Sequence, residues 1–303
     1  MSSSTKLNVD SSGVEVSPTL YRSVIGSLLY LTASRLDIAF SVGVCARYQA
    51  ALKESHLTTV KRIIRYINGT PDYGLWYSKD SNACLVGYSD ADWAGSMDDR
   101  KSTSGGCFYL GNNLVSWMSK KQNSVSLSTA EAEYIAAGSC CTQLLWMKKL
   151  LHDYGISQDT MCIFCDNTSA INLSKSPVQH SKSKHIEIHY HFIRDLVEVR
   201  VVCLEFIHTD NQKADIFTKP LDGPRLESLR KTISIGTIPW ISCMMCASLA
   251  YIVLLYLWVT HYFVGQLLLL LLLLFLLYLF SLSLHCCFWS IFSFLCVKKP
   301  HKK

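Results

Sequence analysis

Four acidic residues stand where chemistry would want them. Asp90 closes an apolar run, ACLVGYSD, and Asp166 closes another, MCIFCD. Glu133 lies in the first turns of a long helical stretch, SLSTAEAEYIAAGSCCTQLLWMKKLLHDYG, and Asp215 opens a short one, NQKADIFTKPL. Carboxylates at two strand ends and two helix starts can converge on one point, and in open α/β sheets sites form at such strand ends. Cleaving a phosphodiester requires an activated water, a stabilised pentacovalent phosphate and a stabilised leaving oxygen. Two Mg²⁺ ions roughly 3.5–4 Å apart supply all three. Mg²⁺ takes hard oxygen ligands and keeps several waters, so three or four carboxylates suffice, with Mn²⁺ as an alternative ion. Singly, Asp90 and Asp166 also read as strand-end turn residues and Glu133 as a solvated helix residue; the joint placement carries the nuclease reading.

The surrounding text predicts the elements that would hold these acids. ACLVGYS, GCFYL and LVSWMS read as strands, the last two joined by Gly111-Asn112-Asn113, which is hairpin chemistry. The long helix has Ser128 as N-cap, Glu131 three residues on as in a capping box, and Gly155 as its stop. MCIFC is a short strand, DNTSAINLS begins a helix, HIEIHYHFIRDLVE is helical, VRVVCLEFIHT is a strand, and NQKADIFTKPL is a short helix ended by proline. Three strands in a meander followed by helix, strand, helix, helix, strand and helix predict an α/β fold: a mixed sheet flanked by helices. Upstream, residues 21–70 show helical spacing around Val60, Ile63, Ile64 and Tyr66, stopped by Asn68-Gly69 and Pro71.

Composition divides the chain further. It has 303 residues and a formal charge of +6, yet Lys298, Lys299, Lys302 and Lys303 lie in the last six positions, and without them the balance is only +2. Nucleic-acid affinity would therefore rest on local patches rather than bulk charge. Between Thr232 and Val297 there is no Asp, Glu, Lys or Arg. Within that tail, Ile238 to Thr260 and Val264 to Leu284 are each long enough to span a bilayer, so residues 238–284 are a candidate membrane contact; a low-complexity leucine run without a selected role is the other reading. The 13 cysteines show no paired metal-ligand spacing. Cys162 and Cys165 form a CxxC, but on a strand they face opposite ways, and scattered reduced thiols fit an intracellular protein. No signal peptide opens the chain, and its first 18 residues are polar enough to be expected without fixed structure.

The passages GYSDADWAG, RKSTSGGCFYLGNNLVSWMSKKQ, STAEAEYIAAG, CDNTSAINLS, KHIEIHYHFIRD and HTDNQKADIFTKPL resemble the ribonuclease H domain of copia-type retrotransposon Pol polyproteins, especially those of plants. The resemblance runs from about Tyr21 to Gly236. It implies a ribonuclease H-like, mixed five-stranded sheet over residues 71–236. Ahead of it stand a helical segment following the polymerase palm (19–70) and a polar leader (1–18), and an apolar tail follows (237–303). It implies hydrolysis of RNA in RNA–DNA hybrids with two Mg²⁺ ions, no small-molecule cofactor, and Asp90, Glu133, Asp166 and Asp215 as the metal-binding and catalytic acids. Glu131 is the alternative to Glu133, since both stand near the helix start. His208 falls where related nucleases carry a mobile histidine, suited to product release or proton transfer.

Arg100, Lys101, Lys120, Lys121, Lys182, Lys184 and His185 are candidates for the hybrid backbone, with Ser102, Ser104 and Asn167 for sugar or phosphate. His180, His185, His189 and His191 are read as a helix face rather than a zinc site. The polymerase's tyrosine-x-aspartate-aspartate motif does not occur in the sequence, so DNA synthesis is not implied, and an inactive relic is the alternative reading. A cytoplasmic or nuclear location is expected if the tail is not inserted, and a membrane location if it is.

Overall fold

The computed structural model describes residues 6–79, 81–175 and 192–237. Its centre is a five-stranded mixed sheet of β2 (Leu85–Asp92), β3 (Thr103–Leu110), β4 (Asn113–Lys121), β5 (Met161–Cys165) and β6 (Val202–Phe206), in the order β4-β3-β2-β5-β6. The first three form an antiparallel meander, and β5 and β6 add in parallel beside β2. The hairpin between β3 and β4 pairs Leu110 with Asn113, and Gly111 supplies the left-handed corner at φ +60°. Parallel addition requires a crossover, and the long helix α4 (Thr129–Asp153) provides it. Ser128 Oγ caps α4 by accepting the Glu131 N–H at 3.2 Å, and Gly155 at φ +75° follows its end. The expected α/β, ribonuclease H-like mixed sheet is thus present.

Both faces of the sheet are covered. On one, Tyr134, Ile135, Cys140, Cys141 and Leu144 of α4 pack against Leu85, Phe108, Ile163 and Leu204, with α5 (Thr168–Lys175) and α6 (Phe192–Glu198) completing the layer. On the other, Cys107, Tyr109 and Leu114 meet Ile216, Phe217, Leu229 of α7 (Gly223–Thr232), and Leu36. The segment carrying Asp215 is a 3-10 turn over Lys213–Phe217 rather than an α-helix. Of the predicted helix around HIEIHYHFIRDLVE, Phe192–Glu198 is helical and the remainder lies outside the described residues.

Upstream, α1 (Pro18–Leu31), α2 (Ala39–Ala46) and α3 (Glu54–Asn68) bury Tyr21, Ile25, Leu28, Val42, Val60 and Ile63 together. They join the sheet through Leu36, through Trp117 Nε1, which donates to Thr32 O at 3.1 Å, and through Arg47, which donates to Thr103 Oγ1 at 3.1 Å. Arg35 and Asp37, both buried, pair at 2.9 Å, and Tyr66 ties Asp37 to Arg230 of α7. Residues 6–17 differ from the compositional expectation. They lie against the helices, with Leu7 O accepting from Tyr48 OH at 3.0 Å, the Val9 N–H donating to Asp98 Oδ1 at 3.0 Å and Glu15 bridging to Lys53. Their polarity reflects hydrogen bonding to the fold rather than solvation alone. A small antiparallel pair, β1 (Tyr73–Leu75) with β7 (Ile235–Thr237), closes the unit. Among the described residues no helix is long and apolar enough to cross a membrane, and residues 238–284 lie outside them.

Candidate active site

Register brings the acids together. Tyr88 of β2 pairs with Phe164 of β5 in parallel, so two residues further along Asp90 and Asp166 come level at the same end of neighbouring strands. One oxygen each of Glu133 and Asp166 lies within 4.8 Å of the other and of Cys165 Sγ. Glu133 Oε1 accepts the Ala91 N–H at 3.1 Å, which aims the carboxylate at the end of β2. Glu131 instead turns back to the start of its helix, its Oε2 accepting the Leu127 N–H at 2.7 Å. The two glutamates are thereby told apart: Glu133 belongs with the other acids and Glu131 is a cap.

Asp215 arrives from the opposite layer, and two features allow it. Gly105 pairs with Asp90 across β2 and β3, and a side-chain carbon there would meet Ala214 O at 2.8 Å and Phe217 Cβ at 3.0 Å, so its absence lets the 213–217 turn lie on the sheet. Gln212, fully buried, donates to Ser89 O at 2.8 Å and accepts from the Ala214 N–H at 3.2 Å, pinning the turn beside Asp90. Thr218 then donates its hydroxyl to Asp90 Oδ2. Gln122, also buried, does the same work for Glu133. It bridges Ser104 Oγ and Ala132 O at 3.0 and 2.9 Å, fastening the start of α4 to β3. Sequence reasoning missed Gln122, Gln212 and Thr218, because a buried amide or hydroxyl carries no signal until its partners are known.

The electrostatics are those of crowded anions. Asp90 is 3% exposed; burial, then Asp215 and Asp166 nearby, push its carboxyl up to about 7 against the pull of Lys219 and Thr218. Burial, and then Asp90 and Asp166, hold Glu133 well above the usual carboxylate range. Burial raises the Cys165 thiol too, with Glu133 adding to it, so Cys165 stays protonated and donates to Glu133 Oε2 at 3.8 Å. Among the described residues, Asp215 alone of the four has basic partners within ion-pair distance: Lys219 Nζ at 2.7 Å and Arg225 at 3.1 Å. Three clustered carboxylates without such a partner form a hard-oxygen donor set suited to a divalent cation, so these residues fit Mg²⁺ or Mn²⁺.

The remaining candidates divide. His208 is exposed and lies 3.2 Å from Asp210, just ahead of Thr209, whose hydroxyl donates to Asp166 Oδ2 at 2.8 Å. Arg100, at φ +56°, and Lys120 are exposed, and Lys101 is half-buried in the 93–102 loop. Lys121 is paired with Asp99 at 2.8 Å. Ser102 and Ser104, expected at the nucleic-acid surface, are buried instead. Their hydroxyls accept from the Ala94 N–H and from Gln122, so they brace the site from within. Asn167 Oδ1 caps α5 by accepting from Ser169 and Ala170 at 3.0 and 3.1 Å. Lys182, Lys184 and the four histidines at 180, 185, 189 and 191 lie outside the described residues.

No family model matches the chain. Over 240 residues, 79% of its length, it is 39% identical to the retrovirus-related Pol polyprotein from transposon RE2 of Arabidopsis thaliana. Over 214 residues, 70% of its length, it is 39% identical to the one from transposon TNT 1-94 of Nicotiana tabacum. It spans 16% of the length of each of those polyproteins. A ribonuclease H1 isolated from compost by a metagenomic approach aligns structurally at 15% identity and a TM-score of 0.33, over 50% of this chain and 99% of that one. At 39% identity over 79% and 70% of its length, the chain belongs to the copia-type retrotransposon Pol family, of which it carries the ribonuclease H-like segment.

Proposed function

We propose that this chain is a metal-dependent endonuclease of the ribonuclease H type that hydrolyses the RNA strand of RNA–DNA hybrids. The observation that carries the reading is the meeting of Asp90, Glu133 and Asp166 at the ends of β2 and β5, with the Asp90 and Glu133 carboxyls buried and raised, and no basic side chain in ion-pair contact with the three among the described residues. Together with Asp215 these residues would hold the two ions. When bound, Mg²⁺ or Mn²⁺ supplies an activated water and charge stabilisation at the scissile phosphate. The chain's own work is positional. Gln122 and Ala91 fix Glu133, Thr218 orients Asp90, and Gln212 fixes the turn that delivers Asp215. His208, exposed beside the Asp166 loop, would serve proton transfer or product release. Lys120 pairs with Ser104, and Ser104 with Ala91, so Lys120 stands about 10 Å across two strand spacings from the acids, within reach of a duplex backbone.

The test uses the full chain with a labelled RNA–DNA hybrid and Mg²⁺. Cleavage that stops with EDTA and with Asp90→Asn is the expected result. Equal rates for wild type and Asp90→Asn would sink the reading.

A further inference from the structure

A second set of ligating groups lies away from the acids, on the opposite face of β5 from Ile163 and Cys165. Cys162 of β5 pairs directly with Cys203 of β6 in parallel register, and Glu205 follows two residues on, on the same side of β6. Both thiols are half-buried and Glu205 is exposed. The two sulfurs and a Glu205 oxygen all lie within 4.8 Å of one another, and the Cys203 thiol donates to Glu205 Oε1 at 3.9 Å.

The geometry points to a thiophilic metal site formed by Cys162, Cys203 and Glu205, taking Zn²⁺ or a similar borderline-soft divalent ion. Tetrahedral Zn²⁺ with Zn–S near 2.3 Å and Zn–O near 2.1 Å sets its ligand atoms about 3.6–3.8 Å apart. The observed cluster needs a contraction of about 1 Å at most, which χ1 rotation of two half-buried side chains provides. Three protein ligands leave one position to water, since Glu205 faces solvent. Binding forms two metal–sulfur bonds and sends both thiol protons to solvent, so affinity rises with pH. Burial and the neighbouring Cys203 raise the Cys162 thiol, which extends that dependence to higher pH. Ligand softness separates this site from the acids: Mg²⁺ prefers the oxygens and Zn²⁺ the sulfurs. Bound metal would staple the edge strand β6 to β5, the two strands whose ends lead into His208 and Asp166.

The experiment is a Co²⁺ titration of the full chain under a non-thiol reductant, following the thiolate-to-cobalt charge-transfer absorption. Cys162→Ser and Cys203→Ser should each abolish the band, and Glu205→Gln should weaken binding roughly tenfold. Cys203→His, which keeps a ligand, should retain binding with an altered spectrum, separating ligand loss from misfolding. Cys165→Ser and a large excess of Mg²⁺ should leave the band intact. No band in the wild type, a band surviving both serine variants, or a band lost only in Cys165→Ser overturns the site.

Discussion

Lys219 Nζ lies 2.7 Å from Asp215 Oδ1, so the fourth acid of the cluster already has a cation supplied by the chain. Burial works to discharge that ammonium, but Asp90 and Asp215 outweigh it and hold it charged. The lysine therefore competes with any metal ion for the same negative field. Lys219→Ala should tighten Mg²⁺ binding by roughly tenfold, about 1.4 kcal/mol, while lowering the thermal midpoint in EDTA. Calorimetric titration reads the first effect directly. An unchanged or weaker affinity would mean that Lys219 helps to shape the site rather than occupying its field.

The metal-free fold should lose stability as pH rises from about 4 to 7. In that window the folded chain keeps a proton on Asp90, raised from 3.8 to about 7, that the unfolded chain releases. More protons bound to the folded state means that unfolding free energy falls with rising pH, and Glu133, also raised, adds in the same direction. Asp90→Asn should flatten the profile and raise the midpoint in EDTA near pH 7 by a few degrees, since each kcal/mol moves a chain of this size by roughly 2–4 °C. The same variant should lower hybrid cleavage by on the order of 10²–10³-fold or more, the loss of several kcal/mol of transition-state charge stabilisation. Thermal melts at pH 4.5, 6 and 7.5, with and without Mg²⁺, check the pattern.

The two helix glutamates should separate cleanly. Glu133→Gln removes a proposed ligand and should abolish metal-dependent cleavage while leaving the fold intact. Glu131→Ala should cost about 1 kcal/mol of stability, the usual value of an N-terminal cap, with cleavage within a factor of a few. Reversal of these two outcomes would show that Glu131 is the ligand.

Gly105 should resist substitution. Its missing Cβ is the space in which Ala214 and Phe217 lie, so Gly105→Ala must push the 213–217 turn off the sheet. A loss of about 1–3 kcal/mol is expected from such overpacking, together with a weaker Mg²⁺ affinity because Asp215 and Thr218 ride on that turn. A variant as stable and as active as wild type would show that the turn yields freely.

Lys120 should act through charge alone. Lys120→Ala is expected to weaken hybrid binding equally for all sequences and to reduce the slope of log K against log salt by about one. Fluorescence anisotropy at several salt concentrations measures it; an unchanged slope would place the duplex elsewhere.

Much of this was legible in the sequence for a physical reason. Asp90 and Asp166 end apolar runs, Gly111 and Gly155 mark turns, and Ser128 starts a helix, all of them local signals. What was not legible depends on neighbours distant in the chain. Ser102 and Ser104 look like surface hydroxyls until Ala94 and Gln122 are seen against them. The β1–β7 pair joins two three-residue segments more than 150 positions apart, too short to announce themselves. Cys162 and Cys203 become neighbours only through parallel pairing of β5 and β6.

The bonds from Gln212 to Ser89 and from Thr218 to Asp90 span 123 and 128 positions. The β2–β3–β4 meander is local and can form as soon as it leaves the ribosome, whereas these contacts must wait for the chain's later portion and for a large loop to close. Asp90 therefore spends most of synthesis as an ordinary strand-end acid. The cluster of four acids is therefore completed late, after the whole sheet is assembled, and a chain cut short before Gln212 would lack both Asp215 and the bonds that hold its turn beside Asp90.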